Sequence, residues 1–431
     1  MQTFERLESQ VRGYSRSFPR VLNRAVGSSI FDEAGGEYID FFAGAGVMSY
    51  GHNNPALKAP LLEYLASDGI THSLDMATVA KRDFLLAFEE IVLRPRNLDY
   101  LVQFPGPGGS NAVESALKLA RRATGRSGVV SFTSGFHGMT IGALAASGNH
   151  RARAAAGIPL GNVVPMPYDG FLGPDVDSLD VLERYLESGH SGVDLPAAFI
   201  LETVQAEGGV NVASVHWLRG IERLAREYGI VLVVDDVQVG CGRCGPFFSF
   251  EESGIVPDLV CLSKALSGFG LPMAVTLVRP ELDVLLPGEH NGTFRGLNLA
   301  FVTAAAALEH YWRTPELTQR VWAAGAIVAE RFAAIATAHP ELVAAARGRG
   351  LIHGLELGVA GMGTAVSQEA FENGLMIETA GPGNRVLKLL PPLTISTADL
   401  VRGLDILEAA VEAVAARELN PPPRLVDGLA A

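Results

Sequence analysis

The sequence is poor in several features that would place it in well-populated classes of protein. It holds only three cysteines, Cys241, Cys244 and Cys261, an odd and small number that rules out a disulfide framework and suits a reducing cytoplasm. Cys241 and Cys244 form a CxxC, yet no second CxxC and no HxxxH follows to complete a zinc site, so no metal is expected. Basic residues are outnumbered, 34 Lys and Arg against 47 Asp and Glu, and the formal net charge of -13 argues against a nucleic-acid surface. Any phosphate or carboxylate must therefore be met by local donors. No uninterrupted apolar run reaches membrane-spanning length, and residues 1–6 carry mixed charge without the apolar core of a signal peptide. The expectation is a cytoplasmic protein with no membrane or nucleic-acid partner.

What the chain does contain is apolar material for a large core: 48% of its 431 residues are hydrophobic and 19% charged, a length that exceeds one ordinary domain. Short, continuously apolar runs recur at 101–104, 129–132, 197–201, 230–234, 259–262 and 273–278. They read as strands buried on both faces of a mostly parallel sheet. Helical spacing at 56–66, 78–92, 112–121 and 215–228 gives α/β alternation. An Ala-rich helical stretch at 299–337 leads into an α+β part, with a helix near 364–373, strands near 375–378 and 386–390, and a last helix over 397–417. Near the N-terminus, 30–40 reads as a hairpin turning on Gly35-Gly36. The tail from Leu419, with Pro421-Pro422-Pro423, reads as a loose or surface-packed end.

The polar residues gather where the strands stop. The run at 230–234 ends on Asp235-Asp236, 259–262 runs into Ser263-Lys264, 197–201 into Glu202, and 129–132 leads to Phe136-His137-Gly138. The first strand opens onto a glycine-rich turn and a helix through Gly108-Gly109-Ser110-Asn111. Such a turn offers free N–H groups and a positive dipole end, a ready anion site. It is neither a Walker loop nor a dinucleotide fingerprint, since no Gly-Lys-Ser/Thr closes it and no ribose-binding acid follows. Taken singly, Asp235 reads as a helix cap, Lys264 as a solvated strand terminus, and the turn as a plain connection. Taken together, at the carboxyl ends of an open sheet where ligands bind, they point to a clamp for a phosphate-bearing cofactor, which a family resemblance names as pyridoxal 5'-phosphate. Asp235 would meet the ring nitrogen and Lys264 the aldehyde carbon.

The stretch from Asp235 to Gly245, followed by Lys264, resembles the class III (ω-amino acid) aminotransferases, and the likeness covers nearly the whole chain. It includes Gly51-His52-Asn53-Asn54-Pro55, Phe136-His137-Gly138, Glu202-Thr203-Val204-Gln205 and Gly292-Thr293-Phe294. Within that family the chain is most similar to the diaminobutyrate:2-oxoglutarate transaminases of ectoine biosynthesis. The matching strings are 40–46, 106–114, 247–251 and 288–296. The resemblance implies fold type I, with a large domain built on a mostly parallel seven-stranded sheet and a smaller α+β domain drawn from both termini. The expected division is 1–55 (small domain), 56–305 (large domain) and 306–431 (small domain).

The resemblance also implies roles. Lys264 is similar to the Schiff-base lysine and proton carrier. Asp235 resembles the carboxylate at the ring nitrogen, and Gln238 the partner of the phenolic oxygen. Phe136 would stack on the ring, with His137 also against the cofactor, and Gly109 and Ser110 would hold the phosphate. Thr293 resembles a residue that reaches the phosphate of the neighbouring subunit, which implies a homodimer, or a higher homo-oligomer, with a shared active site. Glu207 resembles a switch glutamate that pairs with an arginine just before Pro-Pro, but here that position is Lys388, a point charge without the bidentate fork. The position after Phe-His-Gly, an arginine in ornithine-type members, is Met139. Arg295 and Arg385 are the candidates to substitute, with Arg385 reading rather as a surface residue. Gly108, Ala206 and Cys244 also depart from the diaminobutyrate group. The expected reaction moves the amino group of glutamate to an ω-aldehyde such as aspartate 4-semialdehyde. The alternative is another class III reaction, a different ω-amine transaminase or an aminomutase.

Overall fold

A computed structural model describes residues 1–419; the proline-containing tail lies outside the described residues. Seven strands form the central sheet: β1 Leu101–Gln103, β2 Val129–Phe132, β3 Val163–Met166, β4 Ala198–Leu201, β5 Val231–Asp235, β6 Leu259–Leu262 and β7 Val275–Val278. Their spatial order is β1-β7-β6-β5-β4-β2-β3. The pairs β6–β5, β5–β4, β4–β2 and β2–β3 are parallel, while β7 runs antiparallel to both β6 and β1. Every residue of β2, β4, β5, β6 and β7 is buried. That explains why these strands read as unbroken apolar runs with no alternation.

Strand β3 was not visible as an apolar run, because Pro165 interrupts it and Val163, Val164 and Pro165 are only partly buried or exposed. It occupies the sheet edge, where a strand can tolerate a proline. The helical stretch expected over 299–337 is two helices, Asn298–Tyr311 and Glu316–Ala338, broken at Trp312–Pro315. The one expected over 78–92 is α-helical only for Val79–Ala87 and continues as a wider π turn over Phe88–Leu93. By length and composition the helix Glu316–Ala338 could cross a membrane. In the fold, Leu317, Val321, Val328, Phe332 and Ile335 are buried, it packs on strand Val343–Arg349, and Arg331 pairs with Asp405 and Glu408.

Two further four-stranded sheets lie outside the central one. The first joins Leu22–Val26, Ser29–Asp32 and Glu37–Asp40 to Leu375–Met376, with Leu375 opposite Ile39. Its hairpin turns on Gly35-Gly36 as expected, and Asp32 Oδ1 accepts from Gly36 N at 2.7 Å. The second is antiparallel, in the order Val343–Arg349, Ile352–Leu357, Val386–Leu389, Glu378–Ala380. Arg243, from the turn after β5, is fully buried among these parts. It donates to Leu351 O at 3.0 Å, Pro391 O at 2.6 Å and Ser49 Oγ at 3.1 Å. The two CxxC cysteines flanking Arg243 are buried free thiols.

Candidate active site

The site is built where β5, β6, β4 and β2 end. Asp235 is the last residue of β5 and lies opposite Cys261 of β6, so Lys264 emerges from the adjacent strand just beyond it. Lys264 begins a tight 3-10 turn and has φ +47°, a left-handed backbone that an L side chain adopts at a cost. Ser263 anchors that turn by donating to Met273 O at 2.8 Å. The turn after β6 thus fixes the lysine's direction through its backbone, not only through side-chain packing.

Asp235 is buried and its Oδ2 lies 2.8 Å from His137 Nδ1, while Oδ1 accepts from Val237 N at 3.2 Å. Burial disfavours a charged imidazole, but Asp235 and then Glu202 outweigh it and the His137 pKa is raised. The imidazole on one oxygen and the Val237 N–H on the other fix the orientation of the Asp235 carboxyl group. Glu202, the residue after β4, accepts from Phe136 N at 2.8 Å, which sets the loop that presents Phe136. Burial pushes the Glu202 carboxyl up to about 8, with His137 opposing and Asp235 adding to the shift. Sequence reading marked Glu202 as a polar strand end but gave it no task.

The glycine-rich turn forms the wall beside this pair. The helix α1, Gly109–Thr124, is capped by Gly108, which has no side chain to satisfy the first N–H groups. Asn111 instead folds back so that its Oδ1 accepts from Gly108 N at 3.0 Å. Among the described residues the N–H groups of Gly109 and Ser110 have no intrachain acceptor, as helix geometry requires for first-turn donors. The packing here is tight. A Cβ on Gly109 would stand 2.8 Å from Val237 Cγ1, and one on Gly138 2.2 Å from Ser110 Oγ. Ser110, Gly138 and Val237 are therefore neighbours, which brings the helix start to the ends of β5 and of the Phe136–His137 loop.

A second cluster is made by the antiparallel sheet and the loop that carries Glu207. Lys388 is fully buried, with its Nζ 2.5 Å from Glu207 Oε1 and 3.1 Å from Glu378 Oε1. Glu378 and Lys388 are direct cross-strand partners, and on its other side Lys388 lies opposite Gly354. Tyr14 donates to Glu378 Oε2 at 3.1 Å. Gln238 Nε2 donates to Glu207 Oε1 at 3.2 Å and to Ala45 O at 2.8 Å. Burial raises the Glu207 carboxyl, but Lys388 and Lys264 overcome this and lower it to about 2. Glu378 goes the other way: burial dominates and pushes it up to about 7 despite Lys388. Lys264 itself is lowered, first by burial, against the pull of Glu207.

The remaining candidates lie apart from these two clusters. Thr293 is exposed, with its carbonyl 2.7 Å from His72 Nε2, and Phe294 beside it is 68% exposed. Arg295 is engaged within the chain, by a salt bridge to Asp75 and by donation to His290 O at 2.8 Å. Met139 and Arg385 are exposed. Sequence reading missed Glu378 and Tyr14 altogether. The only available signal was the carboxylate ten residues before Lys388, which becomes meaningful once the strands pair.

Residues 11–411 match the family model for class-III aminotransferases. A diaminobutyrate--2-oxoglutarate transaminase of Halalkalibacterium halodurans is 54% identical over 414 residues, covering 96% of this chain and 97% of that one. The enzyme of the same name from Halomonas elongata is 54% identical, covering 95% and 98%. Among solved structures, the ornithine aminotransferase of Toxoplasma gondii superposes with a TM-score of 0.83 at 26% identity, over 96% of this chain and 95% of that one. The chain belongs to the class-III aminotransferase family, pyridoxal-phosphate-dependent transaminases of fold type I.

Proposed function

We propose that this protein transfers the amino group of L-glutamate to the aldehyde carbon of L-aspartate 4-semialdehyde, giving L-2,4-diaminobutyrate and 2-oxoglutarate. The observation that carries this reading is the near-full-length identity of 54% to transaminases named for that reaction. The proposal extends to cytoplasmic ectoine biosynthesis in a homodimer whose two active sites are shared. The division into segments 1–55, 56–305 and 306–431 is proposed with it.

Pyridoxal 5'-phosphate, when bound, supplies a carbonyl that holds the amino group and a ring that accepts the electrons released at the substrate carbon. The residues present fit it. A buried aspartate backed by a histidine, a lysine in strained backbone just past the next strand, and two open N–H groups at a helix start are the donors and acceptors such a group needs. In the proposal Asp235, oriented by its hydrogen bond with His137, would keep a proton on the ring nitrogen. Lys264 would hold the group covalently and, as a free amine, would move a proton at the substrate's amino-bearing carbon. Its lowered pKa raises the fraction of free amine near neutral pH. Phe136 would cover the ring, Gly109 and Ser110 would hold the phosphate, and Gln238, which donates to Glu207 in this structure, would meet the ring oxygen. Thr293, exposed in one subunit, would complete the phosphate site of the other. Lys388 takes a substrate carboxylate when Glu207 yields. Arg295 is a reserve cation, since a salt bridge to a half-exposed aspartate is readily exchanged.

The test is a product assay with L-glutamate and a panel of semialdehydes of different length. The highest kcat/KM is expected for aspartate 4-semialdehyde, with 2,4-diaminobutyrate as product. A higher kcat/KM for another aldehyde would assign the protein to a different branch of the family.

A further inference from the structure

The cluster around Lys388 holds one more carboxylate than a single cation needs. Glu207 and Glu378 both reach Lys388 Nζ, at 2.5 and 3.1 Å, and Glu378 is only 4% exposed. Among the described residues, Glu378 Oε1 receives no well-aligned hydrogen bond, although it lies beside the ammonium. A buried, under-satisfied carboxylate oxygen is costly unless something else completes it. Its other oxygen takes the hydroxyl of Tyr14, a residue 50% exposed, so the cluster reaches the surface on that side. It also adjoins the cofactor side, because Glu207, which shares Lys388 with Glu378, accepts from Gln238, three residues after Asp235.

The two amino donors of the proposed reaction differ in what they present at this distance from the reacting amine. Glutamate presents a carboxylate alone. 2,4-Diaminobutyrate reacts at its terminal amine and presents an α-carboxylate together with an α-ammonium. A site with one lysine could hold either carboxylate, but the ammonium needs an acceptor of its own. We propose that Glu378, supported by Tyr14, is the specificity-determining residue that accepts the α-ammonium of the diamino acid while Lys388 takes its carboxylate. The inference rests on the diaminobutyrate reading above. Glu378 is fixed in place by strand pairing opposite Lys388, so the two charges are presented at a set spacing. Glu207, on a loop between short strands, is the carboxylate free to move aside for glutamate.

The experiment measures each half-reaction separately by cofactor absorbance, with L-glutamate or L-2,4-diaminobutyrate, in wild type, Glu378→Gln and Tyr14→Phe. In Glu378→Gln the KM for 2,4-diaminobutyrate should rise about tenfold or more, the scale of a lost charged hydrogen bond. The KM for glutamate should fall, because Lys388 is relieved of one competitor. Tyr14→Phe removes only a hydroxyl from a half-exposed side chain, so it should fold and show a smaller rise for the diamino acid alone. 4-Aminobutyrate, which has the carboxylate but no α-ammonium, should become a better donor in Glu378→Gln. Parallel losses with both natural donors, or an unchanged KM for 2,4-diaminobutyrate, would overturn the role of Glu378 and leave the reaction standing. A wild type that reacts with glutamate but not with 2,4-diaminobutyrate would overturn both.

Discussion

The cofactor end and the substrate end of this site are made in different ways. Asp235, Lys264, Glu202 and the Phe136–His137 loop all leave the carboxyl ends of buried strands in one sheet. Their spacing follows from the strand pitch and the parallel register, with Asp235 opposite Cys261. Lys388, Glu378 and Glu207 come from an antiparallel sheet and a loop, and Tyr14 from near the N-terminus. The first arrangement fixes what chemistry is done. The second can change one side chain without disturbing the first, and so is where relatives of one fold can diverge in substrate.

That contrast can be broken by mutation. The largest effect is expected at Lys264: Lys264→Ala should lower turnover about 10,000-fold with either donor, checked by steady-state assay, while the protein stays folded by circular dichroism. Asp235→Asn keeps the shape but loses the anion, and should slow both half-reactions about 100- to 1,000-fold. Lys388→Ala leaves the buried Glu378 and the partly buried Glu207 without their cation. It should cost about 3–5 kcal/mol of stability in denaturant unfolding, whereas Lys388→Arg, which keeps the charge, should cost less. An intact stability in Lys388→Ala would mean that the carboxylates are not held as charges.

The smallest effect is a pH dependence at the cofactor end. Glu202 is pushed up to about 8 chiefly by burial, so the folded protein holds a proton that an unfolded glutamate releases near pH 4. Its contribution to stability is complete below about pH 4 and declines as pH rises to about 8. The thermal midpoint should therefore fall less steeply between pH 5 and 9 in Glu202→Gln than in wild type. Equal slopes would place the proton elsewhere.

The same contrast explains what could be read without a structure. Strand ends are legible because a buried strand is an apolar run and its first polar residues stand out, as with Asp235 and Lys264. The six strands anticipated for the central sheet are present, and the one overlooked is the edge strand holding Pro165. The antiparallel direction of β7 left no mark, because a strand buried on both faces looks alike in either direction. Glu378 was invisible for a different reason. Its partner Lys388 becomes adjacent only by pairing across the strands, and a carboxylate in Met376-Ile377-Glu378-Thr379 looks like any strand residue. Arg243 sits in a turn between two cysteines, yet it is buried and donates to three separate segments of chain.

The claim that the two ends do separate jobs is tested most directly by single-turnover rates of the two half-reactions, glutamate and 2,4-diaminobutyrate, in Asp235→Asn and Glu378→Gln. The account predicts that Asp235→Asn slows both by the same factor, leaving their ratio at subsaturating donor unchanged. It predicts that Glu378→Gln moves that ratio about tenfold toward glutamate. A shifted ratio in Asp235→Asn, or an unmoved one in Glu378→Gln, would contradict it.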